Sequence, residues 1–407
     1  MPVRFLRVYP LVIIAVLFVS CSSGSVPSPA EKLRSSVKAN WAQYKQVHHI
    51  PDTAVQGAGI AVYLETPTGT YYASSGMGSA IDQNTRFRIA SNTKTFTAAA
   101  IMLLHQNGSL NIRDKITSLI PGKQIPYVPD TPEWAIWRKS DITIEQLLAH
   151  TAGVYDVDNN DSLPTPCTSP LYGGKSYPAC VLASDPEHQF TPSELAGVDA
   201  TYQLRFFDPG DLNYHYSDTG YSMLAEIIER VSGKSYDQFL MQNLITPNGL
   251  TYTSVTMLGW DQTIPRPFNP GYVYDNGVMT DETADNMSLH IGEGNITSTP
   301  ADLARWIKRL VRGEAGINAA LVELMKTPSA GALSRNKKYG LGISSVSGLG
   351  YGHTGANQGY LSLMMHDPTA NVTTIVYFNI WDRVNLLTDQ APLMMKAAFD
   401  ARAAVGY

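Results

Sequence analysis

The stretches of this 407-residue chain that read as β-strand lie near its two ends, and helix signals fill the space between them. Residues 58–64 and 70–75 flank Pro67-Thr68-Gly69, a hairpin signal. Residues 339–346, 359–366 and 372–379 repeat the pattern near the other end, the last two joined by a turn at Asp367-Pro368-Thr369-Ala370-Asn371. A polar helix over 31–47 precedes the first strands and a helical stretch over 386–403 follows the last. This order predicts an α+β fold in which one mainly antiparallel sheet is assembled from both termini, flanked by terminal helices, with a helical lobe inserted between. Within the lobe, helices are expected at 144–150, 219–231, 236–244, 300–311 and 317–325. Pro300 sits at a first-turn position after Thr299, and Gly233 and Gly313 follow helix ends. Residues 155–197 read as an irregular insertion, too long for an ordinary connection and of the kind that forms functional covers.

The chemistry-bearing signal is Ser91-Asn92-Thr93-Lys94, where the apolar strand-like Phe87 and Ile89 give way to an Ala/Leu-rich helix reaching Gln106, with Gly108 as its stop. Residues at i and i+3 share a helix face, so Lys94 can reach the Ser91 hydroxyl, and the unpaired amides of a helix start add positive potential there. The pattern predicts an activated serine. Ser-x-x-Lys also occurs at Ser35-Ser36-Val37-Lys38 and Ser334-Arg335-Asn336-Lys337, but neither serine opens such a helix. The expected apolar face is Phe96, Ala99, Ala100, Leu103 and Leu104.

Arg4 and Arg7, the apolar run over 11–19 and the following Ser20-Cys21-Ser22-Ser23-Gly24 read as an export signal over 1–20. The Phe18-Val19-Ser20-Cys21 end resembles the bacterial lipoprotein cleavage box, which predicts lipid attachment at Cys21, a tether over 21–30 and a membrane-anchored location on the outer side of the cytoplasmic membrane. A single two-lobed domain would then occupy 31–407. In an oxidising compartment the other two cysteines, Cys167 and Cys180, are expected to form a disulfide within the insertion. A formal charge of −5 and sparse charged residues give no basic surface for nucleic acid.

An activated serine needs a proton acceptor and an oxyanion hole. Tyr216-Ser217-Asp218, just before a helix, and His353-Thr354-Gly355, entering a strand, offer these at suitable places in the order. With Phe87-Arg88-Ile89-Ala90-Ser91, Leu147-Leu148-Ala149-His150-Thr151-Ala152-Gly153 and Gly294-Asn295-Ile296-Thr297-Ser298-Thr299-Pro300, they make the chain resemble the serine β-lactamase and penicillin-recognising hydrolase superfamily over about residues 50–400. The branch resembled holds class C β-lactamases, D-Ala-D-Ala carboxypeptidases and related esterases. The resemblance implies Ser91 as acylated nucleophile, with Lys94 and Tyr216 sharing the base role. It also implies the amides of Ser91 and Ala356 as oxyanion hole, and His353, Thr354, Gly355 and Asp218 as substrate-binding residues. No metal or other cofactor is called for.

Two departures from the family stand out. Asp218 replaces the usual Asn of the Tyr-x-Asn motif, and an ionised carboxylate cannot donate to a substrate carbonyl. Asp218 is therefore expected to be protonated, to pair with Lys94, or to favour substrates lacking that amide. After Tyr339-Gly340-Leu341-Gly342 come Ser344 and Ser345 rather than an arginine for a substrate carboxylate, and the nearest cations in sequence are Arg335, Lys337 and Lys338. D-Ala-D-Ala carboxypeptidase-like activity on a peptidoglycan peptide ranks first, a carboxylesterase second and a β-lactamase third. A penicillin- or muropeptide-sensing module is the non-enzymatic alternative. His150 is expected to be structural.

Overall fold

The computed structural model describes residues 26–55, 57–159, 177–382 and 386–407. Cys21 and the export signal, like Cys167, lie outside them. Among the described residues no helix is long and apolar enough to cross a membrane.

Strands β1 (Ile60–Thr66) and β2 (Gly69–Ser75) come from the N-terminal part of the chain. In the middle lie β3 (Phe87–Arg88), β4 (Ser254–Val255), β5 (Tyr272–Asp275), β6 (Val278–Asp281) and β7 (Ile296–Ser298). The C-terminal part supplies β8 (Ser344–Val346), β9 (Gly350–Asn357), β10 (Tyr360–Asp367), β11 (Val372–Phe378) and β12 (Ile380–Asp382). The main sheet has six strands in the order β2-β1-β11-β10-β9-β8, all antiparallel, so the two ends of the chain meet where β1 pairs β11 with Ile60 opposite Phe378. Smaller sheets are β12-β5-β6 and β3-β7-β4.

The alternation of side chains along a strand divides the interior in two. Ile60, Val62, Leu64, Leu361, Leu363, Val376 and Phe378 face helices α1 (Pro29–Val47) and α11 (Leu386–Val405). On α1 the stripe Leu33, Val37, Trp41 and Tyr44 recurs every three to four residues, and the Ser28–Glu31 capping box fixes its start. The intervening Ala61, Tyr63, Met364, Ile375 and Tyr377 face the other core, which is continuous with the helical lobe. Because β10 and β11 are buried on both faces, their sequence reads as nearly unbroken apolar runs.

The lobe contains α2 (Thr93–Gln106), α3 (Ile144–Leu148), α4 (Tyr177–Ser184), α5 (Pro192–Tyr202), α6 (Asp218–Ser232) and α7 (Tyr236–Leu240). It is followed by α8 (Pro300–Val311), α9 (Ala319–Lys326) and α10 (Ala330–Ser334). Helix α8 packs on the sheet and ties it to α2, with Phe96 and Trp306 stacked at 4.1 Å and Trp306 donating to Thr95 Oγ1 at 2.9 Å.

Several expectations change. Helix α2 has no polar face: every residue from Thr93 to Met102 is buried, so the proposed stripe is part of an all-round burial and Leu103 is only half-buried. The 155–197 stretch is not irregular throughout, since α4 and most of α5 fall in it. Only Ser344–Val346 of the 339–346 run is strand. The strand entered at His353-Thr354-Gly355 is β9, which extends over eight residues although glycines weaken a strand. Those glycines answer to neighbours: a Cβ on Gly352 would lie 1.8 Å from the Met364 carbonyl oxygen.

Candidate active site

The nucleophile turn begins where β3 pairs β7, with Arg88 opposite Thr297 and the Ile89 amide donating to the Ile296 carbonyl at 3.1 Å. Ala90 then adopts a left-handed φ of 49°, a conformation that costs a non-glycine residue about 1–2 kcal/mol. It turns the chain out of the strand into a short 3₁₀ turn, Ala90–Asn92, that runs on into α2. Ser91 stays half-buried while Asn92 and Lys94 are fully buried.

Lys94 Nζ donates to Ser91 Oγ at 3.0 Å, as the i, i+3 spacing predicts. It also meets Asp218 Oδ1 at 2.6 Å, Glu293 Oε2 at 3.2 Å and the Glu293 carbonyl at 3.1 Å. Burial opposes the charge on Lys94, but Asp218, Tyr216 and Glu293 more than offset it and hold the ammonium well above the ordinary lysine range. The decoys do not share this setting. Ser35 and Lys38 are exposed on α1, and Ser334 ends α10 on the surface, donating to the Gly331 and Leu212 carbonyls.

Tyr216, Ser217 and Asp218 have three different tasks. Ser217 caps α6, accepting from the Gly220 amide at 3.1 Å, and this sets Asp218 in the first helical turn, where a negative charge is favoured. The Tyr216 hydroxyl is buried, and both Lys94 and Ser91 lie near enough to favour its ionised form, although neither contact has hydrogen-bond geometry. Burial dominates, and with the Asp218 charge it raises Tyr216 well above the ordinary phenol range. Asp218 is paired with Lys94, and its Oδ2 accepts from Asn159 Nδ2 at 2.6 Å. Of the three expectations for Asp218, this is the lysine-paired one.

Sequence reasoning missed the rest of the polar cluster. The β3–β7 pairing that places Ile296 against Ile89 also carries Glu293, three residues earlier, alongside Lys94. His290 Nδ1 bonds Glu293 Oε1 at 2.5 Å. Burial disfavours the imidazolium, yet Glu293, Asp285 and Asp158 raise His290 to about 10. Burial would raise Glu293, but Lys94 and His290 reverse that and keep it ionised. Asp158 is pushed up to about 7 by burial, against His290 and with Glu293, Asp218 and Asp285 adding to the rise. Asn159 bridges Asp218 and Asp156, meeting Asp156 Oδ2 at 3.0 Å. Glu293 directly precedes the Gly294 to Pro300 segment, a signal that could have found it. Asp156, Asp158 and Asn159 lie in the stretch set aside as an insertion. Asp158, His290 and Glu293 each bring a donor atom within 4.8 Å of the others, a spacing compatible with a cation, but His290 in its charged form already balances its carboxylates.

On the opposite wall, β8 pairs β9 only as far as Gly352, so among the described residues the outer edge of His353 to Asn357 has no partner strand, and it faces the nucleophile turn. Ala356 lies on this edge, as an oxyanion role requires. The resemblance implies Gly355 as a substrate-binding residue, where the missing side chain would let substrate approach. The space belongs instead to the nucleophile turn: a Cβ there would lie 2.3 Å from the Ile89 carbonyl oxygen and 2.9 Å from Asn92 Nδ2. Thr354 is half-buried. His353 is buried and turned inward, its Nδ1–H donating to the Thr354 carbonyl at 2.5 Å and its Nε2 accepting from the Tyr339 hydroxyl at 3.1 Å. Burial, then Lys94, depress it to about 3, so it is a neutral strut. His150 is structural. Its Nδ1 accepts from the Ser217 amide at 3.1 Å and its ring lies 4.2 Å from that of Tyr216.

Cys180 is disulfide-bonded, while its expected partner Cys167 lies outside the described residues. The Arg335, Lys337 and Lys338 side chains are exposed, and Arg335 bonds Asn213 at 2.7 Å.

A serine beside a buried lysine, a tyrosine before a helix and an open strand edge across the cleft define a serine acyl-transfer site of the β-lactamase and transpeptidase type. The chain belongs to the Beta-lactamase family, whose model matches residues 41–399. It is 28% identical to penicillin-binding protein 4* of Bacillus subtilis over 69% of this chain and 58% of that protein, and so spans less than two thirds of that relative's length. The D-stereospecific amidohydrolase of a Streptomyces species superposes with a TM-score of 0.70 at 21% identity, over 91% of this chain and 98% of that one. The D-amino acid amidase of Ochrobactrum anthropi SV3 gives 0.68 at 20% identity, over 92% and 99%. These likenesses establish the β-lactamase/transpeptidase-like fold.

Proposed function

We propose that the protein hydrolyses small amide or peptide substrates through an acyl-enzyme on Ser91, and that its substrates carry no carboxylate next to the scissile bond. The observation that carries this reading is the charge around the nucleophile. The charged groups acting most strongly on Lys94, Asp218, Glu293 and Asp158 are one another, Asp285 and His290; no arginine is among them. Lys94 and His290 are already paired with these acids, so a substrate carboxylate finds no free cation among them, and one set about 4 Å from a single acid meets about 4 kcal/mol of repulsion at an effective dielectric near 20, which the paired cations offset only in part. An amide, or an acyl group bearing an ammonium, escapes that penalty. The structural likeness to a D-amino acid amidase and a D-stereospecific amidohydrolase supports the same substrate class. In this reading Lys94 and Tyr216 handle the Ser91 proton, and the amides of Ser91 and Ala356 receive the oxyanion.

A D-Ala-D-Ala carboxypeptidase is the second reading, favoured by His353-Thr354-Gly355 and by the penicillin-binding relative. Action in the cell envelope, with a lipid on Cys21, belongs to the same proposal and is supported by the N-terminal sequence. The test is a panel of D-amino acid amides, acyl-D-Ala-D-Ala peptides, a chromogenic cephalosporin and short-chain aryl esters, each with wild-type protein and Ser91→Ala. Turnover of amides, lost in Ser91→Ala, is the expected result. Preference for the D-Ala-D-Ala peptide establishes the carboxypeptidase, and stoichiometric acylation without turnover establishes a sensor.

A further inference from the structure

The contacts around Lys94 leave an unanswered question about where the serine proton goes. The three ammonium hydrogens of Lys94 are taken up by Ser91 Oγ at 3.0 Å and by Glu293, through Oε2 at 3.2 Å and its carbonyl at 3.1 Å, while Asp218 Oδ1 makes the shortest ion pair with Nζ, at 2.6 Å. A lysine in that state has no lone pair to accept a proton. Tyr216, buried beside a carboxylate, is held as the neutral phenol and has none to spare as a tyrosinate. The two carboxylates on Lys94 are not equivalent. Glu293 has its other oxygen fixed by the charged His290 at 2.5 Å, which keeps it an anion. Asp218 makes the shorter contact and is surrounded by acids: Glu293 across Lys94, and Asp156 behind Asn159. Burial and the Glu293 charge raise its proton affinity, with Lys94 and Asn159 opposing.

We infer that Asp218 is the terminal proton acceptor of acylation, reached through Lys94, and that Glu293 is the fixed counter-ion that keeps Lys94 in line. As Ser91 Oγ attacks the substrate carbonyl, Lys94 passes one ammonium proton to Asp218 Oδ1 and takes the Ser91 hydroxyl proton on the nitrogen lone pair so released. Lys94 ends as it began, Asp218 is a carboxylic acid and the substrate oxygen carries the negative charge. When the tetrahedral intermediate collapses, the oxyanion pair re-forms the carbonyl, the bond to the leaving nitrogen breaks, and that nitrogen takes the proton of the neutral Tyr216 phenol, which is refilled from Lys94, while Lys94 recovers its proton from Asp218. The Asp in place of the usual Asn is thus a change in the proton route rather than in substrate contact. The groups facing Asp218 are Lys94 from α2, Tyr216 from its own junction, Glu293 from the turn before β7, and Asp156, Asp158 and Asn159 from the segment after α3.

The inference rests on Ser91 being the acylated nucleophile, so the experiment reads acylation directly. The second-order rate of Ser91 phosphonylation by a fluorophosphonate is followed by mass spectrometry from pH 4 to pH 11, and needs no natural substrate. In wild type the rate should fall with acid through a limb lying above the ordinary carboxylate range of about 4. Asp218→Asn should label at least about a hundredfold more slowly at neutral pH, the scale of lost base assistance. Its rate should then climb toward alkaline pH, where Lys94, with one carboxylate fewer, loses its proton. Asn159→Ala, at an exposed position, removes a hydrogen bond that favours ionised Asp218 and should move the acid limb upward without abolishing the reaction. Asp218→Asn labelling within threefold of wild type with the same acid limb, or an unmoved limb in Asn159→Ala, overturns the inference. An adduct on another serine instead sinks the nucleophile assignment on which it stands.

Discussion

Lys94 shows how strongly a single side chain here depends on its partners. Replacing it with Ala removes a cation shared by two buried carboxylates, and breaking a buried pair from one side costs on the order of 3–5 kcal/mol. Lys94→Ala should therefore lose at least about a hundredfold in kcat and also unfold at lower denaturant. Tyr216→Phe keeps the ring packed on His150 and removes one hydroxyl that has no hydrogen-bond partner among the described residues, so its stability should be near wild type. Its kcat should still fall by about a hundredfold, with the double mutant little worse than Lys94→Ala, because groups acting as a unit are non-additive. Steady-state kinetics on the best substrate, beside urea melts, separates the two effects. Near-normal turnover in Tyr216→Phe would remove that hydroxyl from the mechanism.

Among the elements, β9 and the nucleophile turn form one unit held at backbone contact by Gly355. A methyl group there meets the Ile89 carbonyl, which cannot swing aside as a flexible side chain would. Gly355→Ala should cost about 1–3 kcal/mol of overpacking and slow Ser91 acylation as well, since the strain falls on the turn that carries the nucleophile. Gly197→Ala is the contrast. It lies inside α5, its added Cβ would find its nearest neighbour at an ordinary 3.6 Å, and alanine is favoured over glycine in a helix by about 0.5–1 kcal/mol. Chemical denaturation should show the two glycines moving stability in opposite directions, with acylation unchanged in Gly197→Ala.

Across the whole molecule, the acidic cluster between sheet and lobe makes stability depend on pH. His290 is raised to about 10 in the fold against about 6.5 in the unfolded chain, so its protonated form stabilises the native state. That contribution is complete below about pH 6.5 and is lost as pH rises through 10. His290→Gln should therefore be less stable than wild type in mildly acidic solution, with the gap narrowing as pH approaches 10. Unfolding curves for both proteins at several pH values measure it, and a constant gap would show that the histidine contributes by packing alone.

What the sequence determined by itself was local or repetitive. The strand pairs at the two ends, the helix start at Thr299-Pro300, and the serine and lysine on one helix face follow from turn chemistry and periodicity, which need no distant partner. The family motifs added Tyr216 and the strand carrying Ala356. Tertiary structure decided what depended on neighbours far along the chain. The β3–β7 register delivered Glu293 to Lys94, and burial turned the ordinary acids Asp156, Asp158 and Asp218 into groups of raised proton affinity. The approach of Ile89 explained Gly355, and α2 proved buried on every side because sheet and lobe close over it. Periodicity reports which residues share a face, whereas charge, burial and close approach are properties of a site that exists only once the two ends of the chain have met.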